Sequence, residues 1–140
     1  MAELSKPLQK QSHKQVRSKE AETEQAEFER HFFGRLLQAY PEYVDALRAY
    51  GNLLTRTGCI EEGLDIDRRL VCLRPNDAVA HYNLACSYCL LGKHEQTLTV
   101  LRRAFELGYN DFAYLRKDRD LESIKGDRRF KVLVREFDRR

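Results

Sequence analysis

A self-similarity at a spacing of 34 residues constrains this chain more than any other feature. Residues 44–77 shifted by 34 positions align with residues 78–111. A repeat of this length is typical of a helix–turn–helix unit that stacks on its neighbours. The identical pairs are Ala46 and Ala80, Gly58 and Gly92, Glu61 and Glu95, Leu64 and Leu98, Arg68 and Arg102, Arg69 and Arg103, Leu73 and Leu107, Asn76 and Asn110, and Asp77 and Asp111.

The repeat divides into two helical hairpins. We expect helices at about 43–57 and 60–73, and again at about 77–91 and 94–107. Gly58 and Gly92 fall at the tight turns, where a backbone with positive φ reverses the chain. Asp77 and Asp111 are placed to cap the helices that follow them by accepting hydrogen bonds from free N–H groups.

The segments that flank the two repeats are irregular. Residues 1–25 are polar, so we expect a disordered or frayed helical tail, although residues from 18 onward could extend the next helix backward. Residues 26–40 form a helix with an apolar stripe that includes Phe28 and Phe32, and they resemble the second half of a partial repeat. Residues 112–140 break the period and predict a C-terminal cap.

Composition indicates the class of protein. Charged residues make up 34% and hydrophobic residues 42% of the 140 residues, with a net charge of +3. The sequence contains no apolar run long enough to span a bilayer and starts without the apolar core of a secretory signal. We therefore expect a cytoplasmic protein that does not bind a membrane. Its four cysteines are expected to stay reduced.

The repeat pattern resembles the tetratricopeptide repeat (TPR) family across residues 28–140. The matching residues of the first unit are Leu47, Tyr50, Gly51, Leu54, Gly63 and Pro75; those of the second are Leu84, Ala85, Tyr88, Ala104 and, in place of proline, Tyr109. Asp67 and Thr97 depart from the pattern. Residues 118–130 resemble the segment that ends many bacterial TPR arrays, which implies a bacterial protein. The implied fold is an all-α, short TPR-type solenoid of antiparallel helix pairs, with an N-terminal partial repeat and a C-terminal capping helix.

The resemblance also implies a function, which is to bind a protein segment in the concave groove lined by the first helix of each unit. The protein would be a non-catalytic adaptor or scaffold whose partner is a peptide or a helix. The groove residues implied by position are Asp45, Arg48, Asn52, Thr55, Arg56, Val79, Tyr82, Asn83, Cys86, Cys89, Leu90, Arg116 and Lys117.

Narrower chemistries for this groove have weaker support. Arg48, Asn52, Asn83 and Lys117 match part of the clamp with which chaperone-binding TPR domains hold a C-terminal carboxylate, but Ala113 stands where that clamp needs lysine. Cys86 and Cys89 are one helical turn apart, yet zinc would need two further ligands at a usual spacing. We therefore expect no metal, no cofactor and no catalytic residue.

Two other functions stay open at this point. The exposed ends and the helix with Phe28, Phe32 and Phe33 could make the chain self-associate as a homo-oligomeric assembly module. Residues 116–140 carry ten Lys and Arg against six Asp and Glu. A basic tail of this size could bind nucleic acid or another anionic surface, although the small net charge makes nucleic acid the less favoured partner.

Overall fold

The computed structural model describes residues 6–139, with side chains from residue 21 onward, and every element of regular secondary structure in this part of the chain is a helix. This confirms the predicted all-α class, and the four repeat helices lie within about two residues of their predicted limits. The helices are α1 (Lys6–Ala39), α2 (Val44–Arg56), α3 (Ile60–Leu73), α4 (Ala78–Leu90), α5 (His94–Glu106), α6 (Phe112–Lys117), a 3-10 helix (Arg119–Ile124) and α7 (Arg128–Asp138).

Local chemistry explains where these helices turn and start. Gly58 and Gly92 have φ angles of 87° and 73°. Both predicted chain reversals therefore use a positive-φ backbone conformation, which favours glycine. The Asp77 carboxylate accepts a hydrogen bond from the Ala80 N–H at 3.0 Å. The Asp111 carboxylate does the same for Tyr114 at 3.1 Å. Both predicted caps are therefore present.

Successive helices pack against each other, with α2 between α1 and α3 and with α4 between α3 and α5. Small residues allow this close approach. A Cβ atom at Gly51 would lie 2.9 Å from Asp67 Oδ1, and one at Gly63 would lie 3.1 Å from Thr55 Oγ1. Both distances are shorter than ordinary carbon contacts, so larger residues would push these helices apart.

The C-terminal segment folds back onto α4 and α5. The 3-10 helix packs on α4, and α7 packs on α5. Leu115, Leu121 and Ile124 are completely buried there, in one core cluster with Ala85 and other residues of α4 and α5. The segment thus covers the apolar side that the second repeat would otherwise expose.

Helix α1 runs without interruption from Lys6 to Ala39 and packs on α2 near its C-terminal end. Residues 6–20 are described as helix only, and residues 1–5 lie outside the described part. The expectation of a disordered or frayed tail over residues 1–25 therefore stays a prediction. Across residues 6–139, none of the helices has the length and apolar character that crossing a membrane would require.

Replacing Ala85 by leucine tests this packing. Ala85 is fully buried where α4 meets α5 and the C-terminal segment. Three added heavy atoms should force the helices apart and lower the free energy of unfolding by about 1–3 kcal/mol. Urea unfolding followed by circular dichroism measures the loss. Ala113→Leu, on the exposed side of α6, is the control and should change stability little; equal stability of the two variants would contradict the packing described.

Candidate binding groove

The groove residues from α2 lie on an accessible face of the structure. Asp45, Asn52 and Arg56 are exposed, and Thr55 is half-buried. Arg56 forms an ion pair with Glu29 of α1 at 3.5 Å. Because both side chains reach into solvent, this pair is weak and leaves the guanidinium able to contact a partner.

Arg48 is engaged within the chain. Its guanidinium donates to the carboxylate of Asp77, the residue that caps α4. Burial alone would raise the pKa of Asp77, but the hydrogen bonds from Arg48 and from the Ala80 N–H lower it below its ordinary value. Arg48 therefore ties the end of one repeat to the start of the next.

Three predicted groove residues of α4 are part of the core instead. Tyr82, Cys86 and Cys89 are 3%, 4% and 1% exposed. The prediction that they lie open to a partner is wrong in this structure, because the chain that follows α6 covers them, and only the edge of Cys86 reaches the cavity described below. The Tyr82 ring stacks on Tyr109 with centroids 4.1 Å apart, and its hydroxyl donates to Asp118 Oδ2 at 2.6 Å.

The two covered thiols both meet the C-terminal segment. The Cys86 thiol donates to Asp118 Oδ2 at 3.7 Å, and the Cys89 Sγ lies 3.3 Å from Ser123 Oγ. Burial raises the pKa of both thiols, and the Asp118 charge adds to this effect at Cys86. Both cysteines are free. Protonated, covered thiols of this kind are poor nucleophiles and act here as packing groups.

The remaining predicted residues are scattered over the surface. Val79 and Leu90 are exposed at opposite ends of α4. Arg116 pairs with Asp138 of α7, and Lys117 is exposed at the end of α6. None of these four lines the cavity described next.

A polar cavity of about 380 Å³ lies between α2, α3, α4 and the 3-10 helix. It brings together five of the predicted residues and three that sequence reasoning missed. The predicted ones are Asn52, Thr55, Arg56, Asn83 and the edge of Cys86; the missed ones are Asp67, Ser87 and Asp120. Asp67 had a signal in the sequence, since it replaces the aromatic residue that is usual at this position of the repeat, whereas no pattern marked Ser87.

Asp67 is the most perturbed acid in this cavity. Its side chain is buried, and its Oδ2 accepts a hydrogen bond from Ser87 Oγ at 2.6 Å. Burial raises its pKa to about 6, although the hydrogen bond from Ser87 acts in the opposite direction. Burial and then the nearby Asp118 charge also raise the pKa of Asp120. The inner wall of the cavity is therefore acidic, whereas Arg56 lies at its outer edge.

The side chains of Cys86, Asp118 and Asp120 place one sulfur and two oxygen donors within 4.8 Å of one another. A cation there would compete with existing hydrogen bonds. Asp118 Oδ2 already accepts from Tyr82 and Cys86, and Asp118 Oδ1 accepts from the Asp120 N–H at 3.0 Å, which caps the 3-10 helix. The thiol would also have to lose its proton. We therefore assign a structural role to this cluster.

Comparison with known proteins gives a partial similarity. The chain is similar to a protein of Arabidopsis thaliana whose name describes it as chloroplastic, with 33% identity over 91 residues. The match covers 63% of this chain but only 27% of the Arabidopsis protein, so the chain spans about a quarter of that relative's length. No protein-family model matches the sequence.

The raised pKa of Asp67 predicts a pH dependence of stability. Because its pKa is about 6 when folded and near 3.8 when unfolded, the folded state binds the proton more tightly. Stability linked to Asp67 is thus fully present below pH 4 and is lost as the pH rises through 6. Asp67→Asn keeps an acceptor for Ser87 without the charge. At pH 7.5 the free energy of unfolding of this variant, measured by urea unfolding, should exceed that of the wild type by up to about 3 kcal/mol. Near pH 4 the two free energies should be equal.

The exposed Asp65 on the same helix provides the control, since Asp65→Asn should leave the pH profile unchanged. A constant difference between Asp67→Asn and wild type across this pH range would show that Asp67 titrates as an ordinary surface acid.

Proposed function

We propose that this chain is a short TPR-type solenoid that acts as a non-catalytic adaptor and binds an extended segment of another protein. Support for the TPR arrangement comes from the 34-residue repeat, the glycine turns at Gly58 and Gly92, and the equivalent caps at Asp77 and Asp111. The proposed binding surface is the open part of the groove, which consists of the exposed face of α2 and the cavity between α2, α4 and the 3-10 helix.

Two asparagines in the cavity carry this proposal. Asn52 is exposed and Asn83 is half-buried, and neither side chain has a hydrogen-bond partner among residues 21–139. An asparagine amide offers both a donor and an acceptor, which matches the N–H and C=O groups of an extended peptide. Two such amides on neighbouring helices can bind the backbone of a partner, because an extended segment has free N–H and C=O groups along its length.

The charges in the cavity indicate the side chains that a partner would present. Asp67 and Asp120 form its acidic inner wall, and Arg56 lies at its mouth. A segment with mixed polar side chains would match these charges better than an apolar helix. A surface this small is expected to bind with micromolar affinity, near about −8 kcal/mol.

A carboxylate clamp has less support than this mode. Arg48 is paired with Asp77, and Lys117 does not line the cavity. Of the four residues that match the clamp, only Asn52 and Asn83 therefore line the cavity. The cytoplasmic location and bacterial origin expected from sequence stay predictions; the matching Arabidopsis protein is named as chloroplastic.

Binding of nucleic acid through the basic C-terminal segment is also less favoured. Arg116 and Arg129 pair with carboxylates of Asp138 and Asp127. Lys125 pairs with Glu122. These neighbouring acids reduce the positive potential that phosphate binding would need.

Site-specific photocrosslinking in the native host tests the adaptor proposal. A benzophenone amino acid at Asn52 should form a covalent adduct with one or a few defined proteins, identified by mass spectrometry. The same probe at Arg103, an exposed residue of α5 outside the groove, should not capture them. Combining the probe at Asn52 with Asn83→Ala and Arg56→Ala should reduce the adduct by about tenfold, a loss of about 1.4 kcal/mol. Equal capture from both probe positions would contradict the proposed surface. So would an adduct yield that the two alanine substitutions do not reduce.

A further inference from the structure

Helix α1 lacks the cover that the repeat gives to its counterpart α3. Phe32 precedes Ile66 by 34 residues, so the two hold the same position in the repeat. Ile66 packs against α2 at Gly51 and is 7% exposed, whereas Phe32 is 52% exposed. Phe28, one turn earlier and stacked on Phe32, is 67% exposed. An aromatic patch of this kind on a helix that repeats a buried one indicates a missing partner helix.

The turn that would fold a covering helix back is absent. In α2 and α3 the chain reverses at Gly58. The residue 34 positions earlier is Glu24, which lies inside α1 and continues the helix. Residues 6–23 therefore extend along the axis of α1 for about 1.5 Å per residue and do not return over Phe28 and Phe32.

The sequence of α1 has two halves of opposite charge. Residues 6–19 contain five basic residues and no acidic one, namely Lys6, Lys10, Lys14, Arg17 and Lys19. Residues 20–29 contain five acidic residues and no Lys or Arg, namely Glu20, Glu22, Glu24, Glu27 and Glu29. A helix with this pattern is complementary to an antiparallel copy of itself, because each basic half then lies beside an acidic half.

A groove beside the acidic half can receive such a helix. It has a volume of about 990 Å³ and lies between residues 21–30 of α1 and the turn from α2 to α3. Its walls include Glu22, Glu27 and Glu29, with Arg30 and Arg56 near the turn. The basic half of the same chain cannot fill it, since it continues the helix that forms one wall. A basic helix from another molecule has the charge that this groove needs.

We propose that two copies of this chain associate through antiparallel pairing of their α1 helices, with residues 6–19 of each copy covering the acidic half and the Phe28–Phe32 patch of the other. Pairing the basic and acidic halves places the two-fold axis near Lys19 and Glu20. Residues 7–11, which include Leu8, then lie opposite Phe28 and Phe32. The 34-residue helix is about 51 Å long, which is long enough for this two-sided contact. This proposal does not rest on the adaptor function, because the two grooves share only Arg56 among their lining residues.

Charge exchange in the full-length protein tests the pairing. One variant carries Lys10→Glu, Lys14→Glu and Arg17→Glu; the other carries Glu22→Lys, Glu24→Lys and Glu27→Lys. Each variant alone places like charges opposite each other and should raise the dimer dissociation constant by at least about tenfold. An equimolar mixture should form a heterodimer about as tight as the wild-type dimer, because the opposed charges are again opposite in sign. Sedimentation velocity measures both quantities.

The aromatic patch is tested separately by Phe28→Ser combined with Phe32→Ser. This variant should also weaken the dimer by about tenfold or more, while Val132→Ser, at an exposed apolar residue of α7, should not. Circular dichroism of each variant checks that its helices remain. About 0.5 M salt should weaken the wild-type dimer by screening its charges.

Three results would overturn the proposal. The first is a monomeric wild-type protein at all concentrations up to about 100 µM, well above a micromolar dissociation constant. The second is a dimer that neither set of charge changes weakens. The third is a mixture of the two charge variants that stays monomeric although both variants keep their helices.

Discussion

Two hydrogen bonds between hydroxyl and carboxylate groups fix helix α4, and the shape of the groove depends on them. Ser87 donates to Asp67 of α3 and Tyr82 donates to Asp118 of the C-terminal segment, each at 2.6 Å. A buried carboxylate without such a donor would cost several kcal/mol, so each hydroxyl stabilises the position of the neighbouring element. The polar cavity lies beside these contacts, with Asp67 and Ser87 in its wall.

The C-terminal segment determines how much of the groove stays open. A helical repeat that ends an array needs a cover for its apolar side. Here residues 118–124 supply that cover, and they also close the part of the groove that contains Tyr82. What remains accessible is the face of α2 and the cavity beside it. The opposite end of the array has no equivalent cover within residues 21–139, since Phe28 and Phe32 are exposed. The two ends thus differ: one is covered by its own chain, and the other exposes two phenylalanine side chains.

Local features of the fold could be predicted from sequence, whereas the covering of α4 could not. Gly58, Gly92, Asp77 and Asp111 act through their own backbone or through an N–H three residues away, so their residue types are sufficient evidence. The position of Tyr82 in the repeat predicts an open groove. That position carries no information about residues far along the sequence that fold back over it. The 34-residue period stops after Asp111, and only tertiary packing brings Asp118 to the Tyr82 hydroxyl. Asp67 was visible as a departure from the repeat, but its partner Ser87 lies on another helix and carried no signal.

Reactivity of the native cysteines tests most directly whether the C-terminal segment covers α4. Cys72 is exposed on α3, whereas Cys86 and Cys89 lie beneath residues 118–124. Under native conditions, a maleimide reagent followed by mass spectrometry should modify Cys72 quickly and the two α4 cysteines at least about a hundredfold more slowly, since covered, protonated thiols react poorly. Asp118→Ala should remove the bond to Tyr82 and accelerate modification of Cys86 and Cys89. Modification of all three cysteines at similar rates in the folded wild-type protein would contradict a closed groove at α4.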